Sequence, residues 1–215
     1  MYTLFGVKDS GSAAIECALE ICGVPYSKLE AASWEPGPAL AELARANPLK
    51  QIPTLRLPGG AVLTESAACL MHLGLTFPHA GLLPAEPVAR DLALRGLVYI
   101  AANCYSCISV IDYPERYTTD TGDAAFAAVR AGATRRLYLH WDIFADLYPV
   151  TPGRFLGGEQ PGALDILAAV VSRWSGTREH ARQSRPGFAA LLERVDAHPA
   201  TAPVFLRHWP APAGA

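Results

Sequence analysis

The stretch from Asn47 to Ser66 constrains this chain most. Ile52 precedes Pro53, and Thr54–Leu57 and Ala61–Leu63 flank Pro58-Gly59-Gly60, a sequence suited to closing an antiparallel hairpin. From Glu65 to Phe77 the apolar residues Ala68, Cys69, Leu70, Leu73 and Leu75 follow a helical period. A lone hairpin is marginal in water, so it must pair with strands elsewhere in the chain.

The residues before it supply them. Tyr2–Gly6 reads as a strand and Lys8–Ser12 as a polar turn. Ala14, Ile15, Ala18, Leu19 and Cys22 then repeat at helical spacing from Ala13 to Cys22, where Gly23 ends the helix. Tyr26–Glu30 is a second strand, and the breaker-rich stretch 33–38 leads to a helix over Ala39–Ala46. The order βαβα followed by ββα mixes a parallel crossover with a hairpin. It predicts a four-stranded mixed α/β sheet flanked by helices, a thioredoxin-like unit over residues 1–77. Residues 78–87 contain three prolines and a glycine and read as a linker. Beyond it no strand is expected. Helical periods cover Val88–Ile111, Ala124–Leu147, Ala163–Trp174, Gly187–Ala197 and Ala200–Arg207, with breaks that include 175–186. Residues 88–215 are therefore expected to form an all-α helical bundle, with the tail from Pro210 fraying.

Composition narrows the function classes. The formal net charge is −2, and Lys8, Lys28 and Lys50 are the only lysines, which gives no electrostatic footprint for nucleic acid. No uninterrupted apolar run approaches a membrane span and the N-terminus reads as a strand, so a cytoplasmic protein with no membrane partner is expected. Five cysteines, an odd number set in apolar helical patterns, suit buried reduced thiols. The six histidines show no ligand spacing, so no metal is expected.

The string Asn47-Pro48-x-x-Gln51-Ile52-Pro53-Thr54-Leu55, the hairpin and Leu63-Thr64-Glu65-Ser66-Ala67-Ala68 resemble the glutathione-binding signature of glutathione transferases. With the strand order and the helical second half, the resemblance covers essentially the whole chain. It implies a bacterial-type transferase with a serine in the first turn and glutathione as co-substrate. By that resemblance the Ile52–Pro53 bond is cis and Ile52 offers its backbone to the cysteinyl moiety. Ser66 binds the γ-glutamyl carboxylate, Glu65 meets the α-ammonium, and Gln51, with Lys50, reaches the glycine carboxylate. Thr64 or Ser66 is also expected to cap the helix.

Catalysis requires a thiolate, and a free thiol with pKa about 8.5 is only a few per cent ionised at neutral pH. In the family the activating residue sits in the turn after the first strand. Phe5 and Gly6 exclude an early tyrosine there, and the turn has no cysteine. Ser10, or else Ser12, is left as donor, although either could simply cap the helix. Asp9 nearby would oppose thiolate formation. Cys104-x-x-Cys107 lies inside a helix of the second half, where a redox motif is not expected. The electrophile pocket is expected between the two halves, walled by Tyr105, Tyr113 and Arg116, with Tyr99, Asn103 and Trp174 as further candidates. Asp165 resembles half of a capping box opposite Gly162. The implied activity is attack of glutathione on a small hydrophobic electrophile by a homodimeric enzyme. The alternative is a glutathione-binding, catalytically weak interaction module; isomerisation, peroxidase or thiol-redox chemistry is a lesser reading.

Overall fold

A computed structural model describes residues 1–32, 34 and 36–210; Ser33 and Glu35 of the irregular stretch, and 211–215 of the tail, lie outside the described residues. The first half runs β1 (Tyr2–Gly6), α1 (Ser12–Cys22), β2 (Tyr26–Glu30), α2 (Pro38–Ala46), β3 (Thr54–Arg56), β4 (Val62–Leu63) and α3 (Ser66–Thr76). The sheet order is β2-β1-β3-β4, with β1 and β2 parallel and β3 antiparallel to both β1 and β4. The turn between β3 and β4 closes where the Leu57 N–H donates to the Ala61 carbonyl (2.8 Å). Gly60, at φ +88°, takes a conformation that a side chain would resist.

Period-two alternation sends β1 side chains to opposite faces. Tyr2 and Leu4 join Ala14, Ile15, Leu70 and Leu73 beneath α1 and α3, while Phe5 packs with Ala31 and Leu43 beneath α2. The first of these clusters runs without a break into the second half through Leu97, Ile100, Leu137, Trp141, Phe144 and Leu167.

The second half is helical: α4 (Pro87–Tyr99), α5 (Ser106–Asp112), α6 (Asp123–Leu147), α7 (Ala163–Val171), α8 (Thr177–Ser184), α9 (Pro186–Ala197) and α10 (Ala202–His208). Two differences from expectation have physical causes. The single helix expected over 88–111 is α4 and α5 joined by a π-helical segment, Ile100–Tyr105, whose wider hydrogen-bond ring leaves no mark on apolar periodicity. The break expected over 175–186 contains α8. That helix buries only Thr177 and Ala181 and has no apolar stripe to detect. Polar tertiary bonds hold it instead: Arg178 to Asp196, and His180 and Ser184 to Asp142. The run Pro87–Asp112 is apolar and long enough to cross a bilayer. It nevertheless buries Leu97, Ile100, Cys104 and Ile108 against protein, as a core helix does.

Candidate functional site

Strand register brings the motif together at one end of the sheet. Phe5 pairs with Thr54, and Leu55 with Leu63. One further step along the first ladder brings Gly6 level with Pro53, and two along the second bring Pro53 level with Glu65. The β1–α1 turn, the 47–53 loop and the start of α3 therefore meet at one edge.

Asn47 braces the loop. Its buried side-chain amide donates to the Gln51 carbonyl (3.1 Å) and to Thr54 Oγ1 (3.0 Å), and its oxygen accepts from the Leu49 N–H (3.0 Å). In the sequence Asn47 is legible only as part of the motif string, because its bracing bonds depend on the folded loop. The Ile52–Pro53 bond is cis, as expected. Lys50, at φ +55°, and Gln51 are exposed.

The capping expected at α3 is absent. Glu65 occupies the cap position at φ +64°, ψ +115°, not the extended backbone that a capping side chain uses, and no side chain accepts from the first turn. Ser66 is already the first helical residue, so its hydroxyl cannot cap from outside. The first intrahelical bond runs from Cys69 N–H to the Glu65 carbonyl (3.0 Å). The start of α3 is thus a buried hydroxyl and uncapped N–H groups at the positive end of a helix, an arrangement suited to a carboxylate.

In the β1–α1 turn, Ser10 and Ser12 are buried and face each other at 2.8 Å. Both lie within donating distance of the Val7 carbonyl, Ser10 at 2.8 Å and Ser12 at 3.1 Å. Ser10 Oγ also accepts from the Ser12 N–H (3.3 Å), a capping bond made across Gly11, which holds the cap position of α1. Ser12 fits over β1 because residue 6 is glycine: a β-carbon there would lie 2.2 Å from Ser12 Cβ. Asp9 accepts a hydrogen bond from the Trp209 indole, and the Arg173 guanidinium lies 4.0 Å over the Trp209 ring.

The candidate pocket residues separate into groups. Tyr105 stacks on Trp174, with ring centroids 5.8 Å apart. Burial and the charge of Asp112 push its phenol pKa up to about 12. Tyr113 lies under the Arg116 guanidinium (3.8 Å) at the far end of α5. The Tyr99 hydroxyl donates to the His140 carbonyl (3.1 Å), and the Asn103 amide to the Tyr99 carbonyl (3.2 Å). Cys104 and Cys107 are free and buried, and burial pushes both thiols up, which leaves little thiolate for redox chemistry.

Residues 12–75 match the family described as glutathione S-transferase, N-terminal domain. The whole chain superposes with a TM-score of 0.80 on a glutathione transferase homolog from Sulfitobacter with bound glutathione, at 22% identity over 95% of this chain and 96% of that one. Residues 12–75 thus carry the glutathione S-transferase N-terminal domain, and the chain as a whole has the fold of that homolog. Among the proteins similar to it is the uncharacterized GST-like protein YncG of Escherichia coli K12. That protein is 26% identical over 197 residues, covering 91% of this chain and 92% of its own. The maleylacetoacetate isomerase of Rhizobium meliloti is 27% identical over 167 residues, 74% of each chain. Within this superfamily fold, the motif residues Ile52, Pro53, Glu65 and Ser66 sit at the same sheet edge as the β1–α1 turn.

Proposed function

We propose that this protein binds glutathione at that sheet edge and transfers it, as the thiolate, to a small hydrophobic electrophile. The start of α3 carries the reading. Its buried Ser66 hydroxyl and uncapped N–H groups form an anion site that no side chain of the first turn fills. The γ-glutamyl carboxylate would lie there, with Glu65 facing the α-ammonium, the Ile52 backbone pairing with the cysteinyl unit, and Gln51 and Lys50 toward the glycine carboxylate. The bound glutathione of the Sulfitobacter homolog supports the ligand class. Tyr105, Tyr113 and Arg116 would edge the electrophile's approach. A cytoplasmic homodimer belongs to the same reading.

The second reading is a glutathione binder with little turnover. One observation favours it: both turn serines can spend their protons on the Val7 carbonyl. Calorimetry with glutathione, followed by a conjugation assay with an aryl halide, separates the two. Saturable binding with turnover is expected. Binding without turnover selects the weak-catalyst reading, and no binding at millimolar glutathione defeats both.

A further inference from the structure

The tyrosine that the first turn lacks arrives from the other half of the molecule. Tyr105 is the last residue of the π-helical segment, where the extra backbone of the wider turn re-aims side chains relative to a regular helix. Its ring lies against Trp174 at an interplanar angle of 19°, which fixes the direction of the phenol. That phenol reaches the β1–α1 turn. A β-carbon added to Gly11 would lie 2.3 Å from the Tyr105 hydroxyl oxygen and 3.5 Å from Pro53 Cδ. Glycine at position 11 thus leaves the space that the hydroxyl uses, between the turn and the loop that would hold the cysteinyl unit. Among the described residues, no hydrogen bond engages this hydroxyl. The two turn hydroxyls, by contrast, are engaged by Val7 and by each other.

We propose that the Tyr105 hydroxyl is the hydrogen-bond donor to the glutathione sulfur, the role otherwise expected of Ser10 or Ser12. The inference rests on the glutathione-binding reading above. On binding, the S–H bond breaks and its proton passes to solvent. Tyr105 keeps its own proton and donates a hydrogen bond to the sulfur anion. The sulfur lone pair then forms the C–S bond, and the electrophile's leaving group departs with the bonding electrons. Burial keeps the phenol in the protonated, donating form throughout. A hydrogen bond to an anion of this kind lowers a thiol pKa by about one to two units.

The test is Tyr105→Phe, which keeps the ring stacked on Trp174 and removes only the hydroxyl. Calorimetry reads glutathione affinity, and thiolate ultraviolet absorbance against pH reads the pKa of the bound thiol. The expected result is affinity within about threefold of wild type, a bound-thiol pKa raised by about one to two units, and a matching displacement of the kcat/KM–pH profile to higher pH. An unshifted thiol pKa in Tyr105→Phe overturns the assignment and leaves the glutathione reading intact. So does a shift of that size in Ser10→Ala or Ser12→Ala with none in Tyr105→Phe. If wild type binds no glutathione, both fall.

Discussion

Two helix starts in this protein solve the same problem in opposite ways. At α7, Gly162 has no side chain to give; the Ala163 N–H donates to the Leu82 carbonyl (2.8 Å), and the anion is the buried Asp165 carboxylate. It accepts from the N–H groups of Gly162 (3.0 Å), Leu156 (2.7 Å) and Gly157 (3.2 Å), even though burial pushes its pKa up to about 6. At α3 the sequence offers Thr64, Glu65 and Ser66, three good capping candidates, and none caps. The difference is one of surroundings. A helix start sealed inside the core must find its anion within the chain, whereas one at an open sheet edge can leave the position to a ligand.

That contrast can be broken experimentally, and the largest effect is expected at α7. Asp165→Ala removes the acceptor of three N–H donors, one buried at Gly162 and two partly buried at Leu156 and Gly157, and should cost about 3 kcal/mol or more in urea unfolding. A loss below about 1 kcal/mol would mean that α7 needs no internal anion.

A comparable internal anion, Glu16 on α1, takes hydrogen bonds from Lys28 (2.9 Å), Arg207 (2.8 Å) and His208 (2.9 Å), tying α1 to α10. Burial alone would raise its pKa, but the bonds from His208, Lys28 and Arg207 outweigh that and hold the carboxyl well below the usual range. Because the folded pKa lies below the unfolded value of about 4.3, its contribution is fully present above that pH and is lost as pH falls toward the folded pKa. Glu16→Gln should therefore destabilise by about 2–3 kcal/mol at pH 7 and by progressively less below pH ~4. Chemical denaturation at a series of pH values measures this, and a penalty independent of pH would refute the charged contribution. Glutathione affinity should stay unchanged.

Ser66→Ala is the smallest change in stability and the sharpest in function. Its hydroxyl caps nothing, so thermal unfolding should move by less than about 0.5 kcal/mol, while glutathione binding weakens about tenfold, the loss of roughly 1.4 kcal/mol. The reverse pattern, lost stability with intact binding, would make α3 an ordinary helix start.

Much of this was legible along the chain. The hairpin at Pro58-Gly59-Gly60, the alternation of β1 and the period of α1 and α3 dictate the first half, because in each case a local pattern matches the burial it serves. The motif residues could be named because they cluster within one short stretch. What escaped depends on neighbours distant in sequence. Helix α8 is polar on nearly every face and stands on the Arg178–Asp196 ion pair and on hydrogen bonds to Asp142, partners far along the chain. The absent cap at α3 turns on the backbone angles of Glu65, which residue identity does not reveal. The partner of the Asp9 carboxylate is the Trp209 indole, 200 positions later, which nothing in the local turn reveals. Helical spacing marks Tyr105 as a pocket wall, but nothing in that spacing aims it at Gly11.

The apolar cluster that runs unbroken from β1 and α1 into α6 and α7 has a mechanical consequence. Halves that share one close-packed interior have no slip plane between them, so rotating one against the other would open voids throughout the core. The seam where Tyr105 meets Gly11 is therefore set during folding and is not assembled by a closing hinge. Ligand arrival should find the groups already in position, with little ordering entropy left to lose.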